Sequence, residues 1–244
     1  MPRSHCFALK NIAIAAVIGI AAAAGSRAMA QVAPSASEAA AYTGLHAAAQ
    51  KGDISKIEKL AAAKADLNAR DSNGRTPLHV ATFAKQRDAI RALVKAGADI
   101  NLFDKDRYDG VTIAAVADDE QTLRLLLALG ASARLITSRY DGTALIAAAH
   151  LGHDGVVKQL IAAGAPLNHV NNLHWTAVIE AVVLGNGGAR HQETLRALIK
   201  AGANLQLTDR QGNTPLQLAR SRGYTEMVDM LERAEKAGSA GSAG

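Results

Sequence analysis

Histidines at positions 150, 153, 169, 174 and 191 fall in one stretch of the chain, and Glu180 lies among them. Imidazole nitrogens and carboxylate oxygens are zinc ligands, and three of them with one open position would activate a water molecule. A metal-dependent enzyme built on His150, Glu180 and the nearby histidines is therefore one alternative. The spacing matches no standard metal motif, so ordinary surface and turn histidines are the better reading, and the sequence predicts no metal site. The next candidate is "GNGGAR", Gly185–Arg190. It lacks the Lys-Ser/Thr pair of a phosphate loop and no strand precedes it. No G-x-S-x-G occurs. These residues predict neither a catalytic group nor a cofactor.

The ends of the chain narrow the field. Arg3 and Lys10 give a basic start, Ile12–Gly25 is an apolar run, and Ala28-Met29-Ala30 is a small-x-small pattern. Together they predict a signal peptide over residues 1–30, removed after Ala30. The run is short of the roughly 20 apolar residues that a spanning helix needs, so no membrane association is expected once it is removed. Arg3, Lys10 and Arg27 leave with it and no acid does. Of 27 basic residues 24 remain against 22 acids, so the charge falls from +5 to +2. That balance gives no case for nucleic-acid binding. Cys6 leaves as well, taking the sole cysteine. The mature chain is expected in the periplasm or secreted, and as a monomer. Residues 31–41 read as a flexible lead and 234–244, rich in Gly, Ser and Ala, as a flexible tail.

Between them the sequence repeats. "GRTPLHVA" at Gly74 returns as "GNTPLQLA" at Gly212, with looser copies beginning near Tyr42, Asp141 and His174. A second phrase, "LVKAGADIN" and its looser copies, carries Gly97, Gly130, Gly164 and Gly202. A period near 33 residues is the mark of a stacked array. Each unit can be read physically. Thr76 is an N-cap, and Pro77 follows at the position where its missing N–H costs nothing. Leu78 and Ala81 share one face of a first helix; Ile90, Leu93 and Val94 share one face of a second. Gly97 suits a helix end with positive φ. Small residues at Ala81, Ala114, Ala147 and Ala181 let helices approach.

"TPLHVA" followed by "LVKAGADIN" at this separation resembles the ankyrin repeat. The expected fold is all-α, an ankyrin-repeat α-solenoid of about six repeats preceded by the signal peptide. The repeat domain covers residues 42–233, in units 42–70, 71–103, 104–137, 138–170, 171–207 and 208–233. The resemblance implies a turn or "finger" between units. It also implies a concave face of fingers and first helices where a protein partner binds. His174 stands where the family commonly has glycine, which puts the usual turn before Trp175 in question. "SRYDGTALIAAAHLGH" and "NNLHWTAVIEAVVLGNGGARHQETL" further resemble a group of exported bacterial ankyrin proteins with a Gly-rich lengthening in the penultimate repeat. Some members of that group support peroxide-detoxifying enzymes.

The aromatic residues point to the contact face. Phe103, Tyr108, Tyr140 and Trp175 fall in or beside the fingers of units three to five, in a chain otherwise poor in aromatics. Such residues anchor interfaces; the alternative is that they pack finger against finger. Lys105, Arg107 and Arg139 are placed to add polar contacts. Glu180 aligns with Val80 and Ala147 and is expected to face the concave surface, with Phe83 and His150 near it. His46 and His79 are expected to tie adjacent fingers through their ring nitrogens. In unit five, 26 residues separate Thr176 from Gly202, where 21 separate Thr143 from Gly164. The five extra residues include Asn186, Gly187, Gly188, Arg190 and His191. Two roles stay open for them: contact with the partner, or packing through a prolonged first helix.

The function this predicts is a non-enzymatic, exported, protein-binding scaffold. Its sharper form, resting on the resemblance, is an accessory that protects or assists a periplasmic antioxidant enzyme such as a catalase. A secreted factor that engages a host or competitor protein is the alternative within the same class.

Overall fold

The computed structural model describes residues 31–241. The expected signal peptide lies outside them. Thirteen helices follow in order: α1 (Ala36–Ala41), α2 (Gly44–Lys51), α3 (Ile54–Ala62), α4 (Pro77–Phe83), α5 (Arg87–Ala96), α6 (Gly110–Val116), α7 (Glu120–Ala128), α8 (Ala144–Leu151), α9 (Asp154–Ala162), α10 (Ala177–Val183), α11 (Ala189–Lys200), α12 (Pro215–Ser221) and α13 (Thr225–Gly241). From α2 onward they form six pairs. No strand occurs among the described residues, where pairing is confined to an isolated bridge between Thr137 and Gly142. Nor is any described helix long and apolar enough to cross a membrane.

The first helix of each pair opens on a hydroxyl or a carboxylate. Thr76, Thr143, Thr176 and Thr214 each accept a backbone N–H three residues on, and Asp109 does the same in unit three. That oxygen satisfies one of the free amides of a helix start. Five residues after each cap comes alanine: Ala48, Ala81, Ala114, Ala148, Ala181 and Ala219 are all at most 1 % exposed. In unit four the place belongs to Ala148, one residue beyond the expected Ala147. The second helices contribute Ile90, Leu93, Leu123, Leu126, Val157, Leu160, Leu195 and Leu198, all fully buried in one continuous core. Lys64, in place of the usual glycine in unit one, takes the left-handed conformation at φ 61°.

Polar rungs join the units. Asn68, Asn101 and Asn168 each accept a backbone N–H from the following unit, from Asp99, Ser132 and Asn204 at 2.8–3.0 Å. Between units three and four the rung is absent. Arg134 stands in the asparagine place, and Pro166, opposite, has no N–H.

His79 forms a buried rung between units two and three. It is 1 % exposed; Nδ1 accepts from Thr76 N–H at 3.0 Å and Nε2 donates to the Tyr108 carbonyl at 3.1 Å. Burial pushes its pKa down to about 4. The folded ring refuses a proton that the unfolded chain takes up near pH 6.5, so its contribution is complete above pH 6.5 and is lost as pH falls toward 4, by about 3 kcal/mol. Asp71 and Asp119 act lower. Against the push of burial, bonds from Tyr42 and Arg75, and from Thr122 and Arg87, hold these carboxyls below the usual range. Urea titrations at pH 7 and pH 5 should therefore differ for the native chain and converge for His79→Gln. Glutamine already makes the same cap at Gln217. Equal pH dependence in the two proteins would refute the assignment.

Both ends differ from expectation. The lead folds as α1 because Ser35 and Glu38 form a reciprocal capping box. Glu38 also accepts from Asn73 Nδ2 and Arg75 Nη2, both at 2.6 Å. At the other end α13 runs on to Gly241, through residues expected to be a flexible tail. Alanine, Glu and Lys there are strong helix formers, and Met227 and Leu231 anchor the helix on the core.

Candidate functional site

Each finger is a turn that needs an oxygen at its start and a left-handed residue three places on. Asp71, Asp104, Asn171 and Asp209 supply the oxygen, each accepting two backbone N–H groups two and four residues on at 2.8–3.0 Å. Gly74, Arg107, Asp141, His174 and Gly212 supply the positive φ. His174 keeps the usual turn despite its Cβ: φ is 63° and its N–H donates to the Asn171 carbonyl at 2.9 Å. A stiff side chain in the left-handed region costs about 1 kcal/mol, and the turn-closing bonds offset it.

Neighbouring fingers bond to each other. Lys105, Ser138 and Asn172 donate backbone N–H to the carbonyls of Asn73, Arg107 and Tyr140 at 2.9–3.0 Å. Arg70 reaches the Phe103 carbonyl at 2.6 Å. His46 bonds the Arg75 carbonyl at 2.9 Å and His79 that of Tyr108, as expected of both. His169 does likewise with Asp141, at 2.6 Å. The fingers are thus a laterally bonded row, suited to present side chains with little loss of conformational freedom.

The residues expected to make contacts divide. Lys105, Arg107 and Arg139 are exposed; Phe83, Phe103, Tyr140, His150 and Trp175 are half-buried. Arg107 pairs with Asp141 at 2.9 Å and Arg139 lies 3.7 Å from Asp106. Tyr108 is a correction: it is buried at 8 % exposure. It stands one residue before the helix cap, in the place Arg75 fills in the preceding unit, and packs inward rather than on the contact face.

Glu180 is a second correction. Its position, four residues after the cap, is filled elsewhere by Ala47, Val80, Ile113, Ala147 and Leu218. The first four of these are buried and Leu218 is partly so. Glu180 is 2 % exposed and does not face the concave surface. Its Oε2 accepts from His150 Nδ1 at 3.1 Å and its Oε1 from Asn171 Nδ2 at 3.2 Å. The two residues singled out for metal chemistry do meet, but the other histidines turn elsewhere. His153 bonds the Ala115 carbonyl, His169 that of Asp141 and His191 that of His150. No group of three metal-ligating side chains forms among the described residues. The best-formed depressions, between α11 and α13 and on α3, are shallow, and neither contains these residues.

The extra residues of unit five enter the loop and the second helix. The first helix, α10, ends at Val183 and is not prolonged; α11 has 12 residues where α9 has 9. Arg190 pairs with Asp118 of unit three at 2.9 Å and reaches Asp154 of unit four at 3.4 Å. His191 Nε2 bonds the His150 carbonyl at 3.0 Å. Its ring lies so close to Gly152 and Gly185 that a Cβ at either would sit 2.7–2.9 Å from it. Tyr224 donates to the Gly185 carbonyl at 3.0 Å, and its ring covers Gly187, where φ is 68°. Asn186 accepts from Gly188 N–H at 2.9 Å, closing the loop. These contacts tie the insertion to units three, four and six.

Three exposed residues on the fingers escaped the sequence reading: Ile136, Val170 and Leu173, at 43 %, 40 % and 38 % exposure. Aliphatic side chains in a repeat array read as core. For Val170 and Leu173 the available signal was positional, since the matching places hold Arg70 and Asn73 in unit two.

Helix pairs stacked at a 33-residue period, capped by threonine or aspartate and joined by hydrogen-bonded fingers, define a repeat scaffold. The chain belongs to the ankyrin-repeat family. A model of ankyrin repeats in three copies matches residues 18–104 and 111–209, and a many-copy model matches 187–232. It is similar to an ankyrin repeat domain from Acinetobacter baumannii AYE, with 46 % identity, TM-score 0.74, and coverage of 78 % of this chain and 97 % of that one. It is also similar to the ankyrin repeat domain of Bcl-3, a member of the IkappaB family, with 27 % identity, TM-score 0.71, and coverage of 80 % and 86 %. The Escherichia coli (strain K12) ankyrin repeat protein YahD is 40 % identical over 95 residues, 38 % of this chain and 47 % of YahD. The alignment thus spans about half the length of that curated relative.

Proposed function

We propose that this chain is an exported, monomeric, non-catalytic scaffold that holds a protein partner on the fingers of units three to five. One observation carries the reading: Lys105, Arg107, Arg139 and Tyr140 stand on consecutive fingers whose backbones are bonded to one another, so their side chains are presented rather than floating. Export rests on the leader-like first 30 residues. The sharper form is an accessory to a periplasmic antioxidant enzyme such as a catalase; it rests on the Gly-rich lengthening of unit five.

Affinity capture from periplasmic extract tests this. Phe103→Ala with Tyr140→Ala is expected to lose the partner that the native chain recovers, with an unchanged thermal midpoint. Recovery of the same proteins in equal amount would remove the fingers from the reading. A captured set without any peroxide-detoxifying enzyme would remove the sharper form alone.

A further inference from the structure

Fingers four and five differ from the others in charge as well as in apolar exposure. In units two, three and six the turn-closing oxygen is a carboxylate, from Asp71, Asp104 and Asp209. In units four and five it comes from neutral side chains: Ser138 Oγ accepts from Tyr140 N–H at 3.2 Å, and Asn171 Oδ1 from Leu173 and Trp175 N–H at 3.0 and 2.9 Å. The acid left on these two fingers, Asp141, is paired with Arg107. Cations remain. Lys105, Arg139 and Arg210 occupy the same place on fingers three, four and six, directly after the turn-closing residue, and all three are exposed. Among the described residues Lys105 makes no bond to a carboxylate, Arg139 is 70 % exposed and only loosely opposite Asp106, and Arg210 bonds a carbonyl, that of Asn172.

The apolar exposure lies in the same place. Ile136, Val170 and Leu173 belong to the same two fingers as Tyr140, and these fingers are tied together by Asn172 N–H to the Tyr140 carbonyl and Asn172 Nδ2 to the Arg139 carbonyl, at 2.9 and 3.0 Å. Exposed apolar side chains carried on two fixed, adjoining fingers suit an interaction site, and the charge at its rim selects the partner.

We infer that fingers four and five take an acidic segment of the partner protein, one that places apolar side chains between its carboxylates. The apolar groups cover Ile136, Val170 and Leu173, and the carboxylates face Lys105, Arg139 and Arg210. This rests on the scaffold reading above and adds the chemistry of what is held.

Fluorescence polarisation with short labelled peptides tests it. The probe repeats Asp-Leu-Glu-Phe; one control carries Lys for every acid, and the other Ser for every apolar residue. The native chain is expected to bind the probe, to bind neither control, and to lose affinity as salt rises, because exposed charges are screened. Lys105→Glu with Arg139→Glu is expected to weaken the probe about tenfold or more, as like charges then face each other. Both residues are exposed, so the thermal midpoint should hold. No binding of the probe, equal binding of the Lys control, or an unchanged affinity of the charge-reversed chain would each overturn the inference. If the charge-reversed chain still captures the periplasmic partner while Phe103→Ala with Tyr140→Ala does not, the acidic specificity falls and the scaffold stands.

Discussion

Replacing His150 with alanine is expected to destabilise the array by about 2–3 kcal/mol, whereas Glu180→Leu should be close to neutral. The asymmetry follows from burial. Glu180 is 2 % exposed in a row that is aliphatic in the other units, and its two carboxyl oxygens are satisfied by one imidazole and one amide. Taking a carboxylate out of water is costly, and removing its strongest donor leaves that cost unmatched. Leucine at 180 restores what the other units carry in that row. Urea unfolding of the two single variants and the double variant measures the coupling. A His150→Ala chain within 1 kcal/mol of the native one would mean that Glu180 is not stabilised by the ring. If Glu180→Leu keeps stability and loses partner capture, the pair serves to orient His150, whose Nε2 has no partner among the described residues.

The same residues show what a sequence of this kind conveys. The period was legible because the same phrases return along the chain, and caps and helix ends because each depends on residues within one turn of one another: Thr76 caps through His79, and Gly97 ends the helix that contains Leu93. Contacts between units were legible only where the repeat itself implied them, as for His46 and His79. The environment of Glu180 was not. Its chemistry suggested surface, while its place in the repeat, four after the cap, fixed it inside. Its partner His150 lies one whole unit away, and no local pattern records that distance. Tyr108 misled in the same way, since an aromatic beside a finger tip and one beneath it differ by a few residues of register. The helix at Ala36–Ala41 was legible in principle, because Ser35 and Glu38 have capping-box spacing. The low-complexity surroundings obscured it.

Deleting Asn186–Arg190 is expected to cost about 3 kcal/mol and to break the single unfolding transition in two. The insertion sits where the array needs support. Units three and four lack the asparagine rung because Arg134 and Pro166 face each other. Arg190, from unit five, reaches Asp118 and Asp154 on those same two units. An exposed ion pair is worth less than about 1 kcal/mol, so Arg190 alone does not account for the effect. The rest comes from buried contacts. His191 caps the end of α8 and fills the space left by Gly152 and Gly185, and Tyr224 of unit six packs on Gly187 and bonds Gly185. Removing the segment loosens units five and six from the units before them, and a solenoid whose neighbour terms are weakened at one junction unfolds there first. Trp175, the sole tryptophan, reports on unit five, while far-ultraviolet circular dichroism reports on all the helices. In the native chain the two signals should share one urea midpoint. In the deletion variant tryptophan fluorescence should change at lower urea than the dichroism. Coincident, unshifted midpoints together with loss of partner capture would instead make the insertion a contact element.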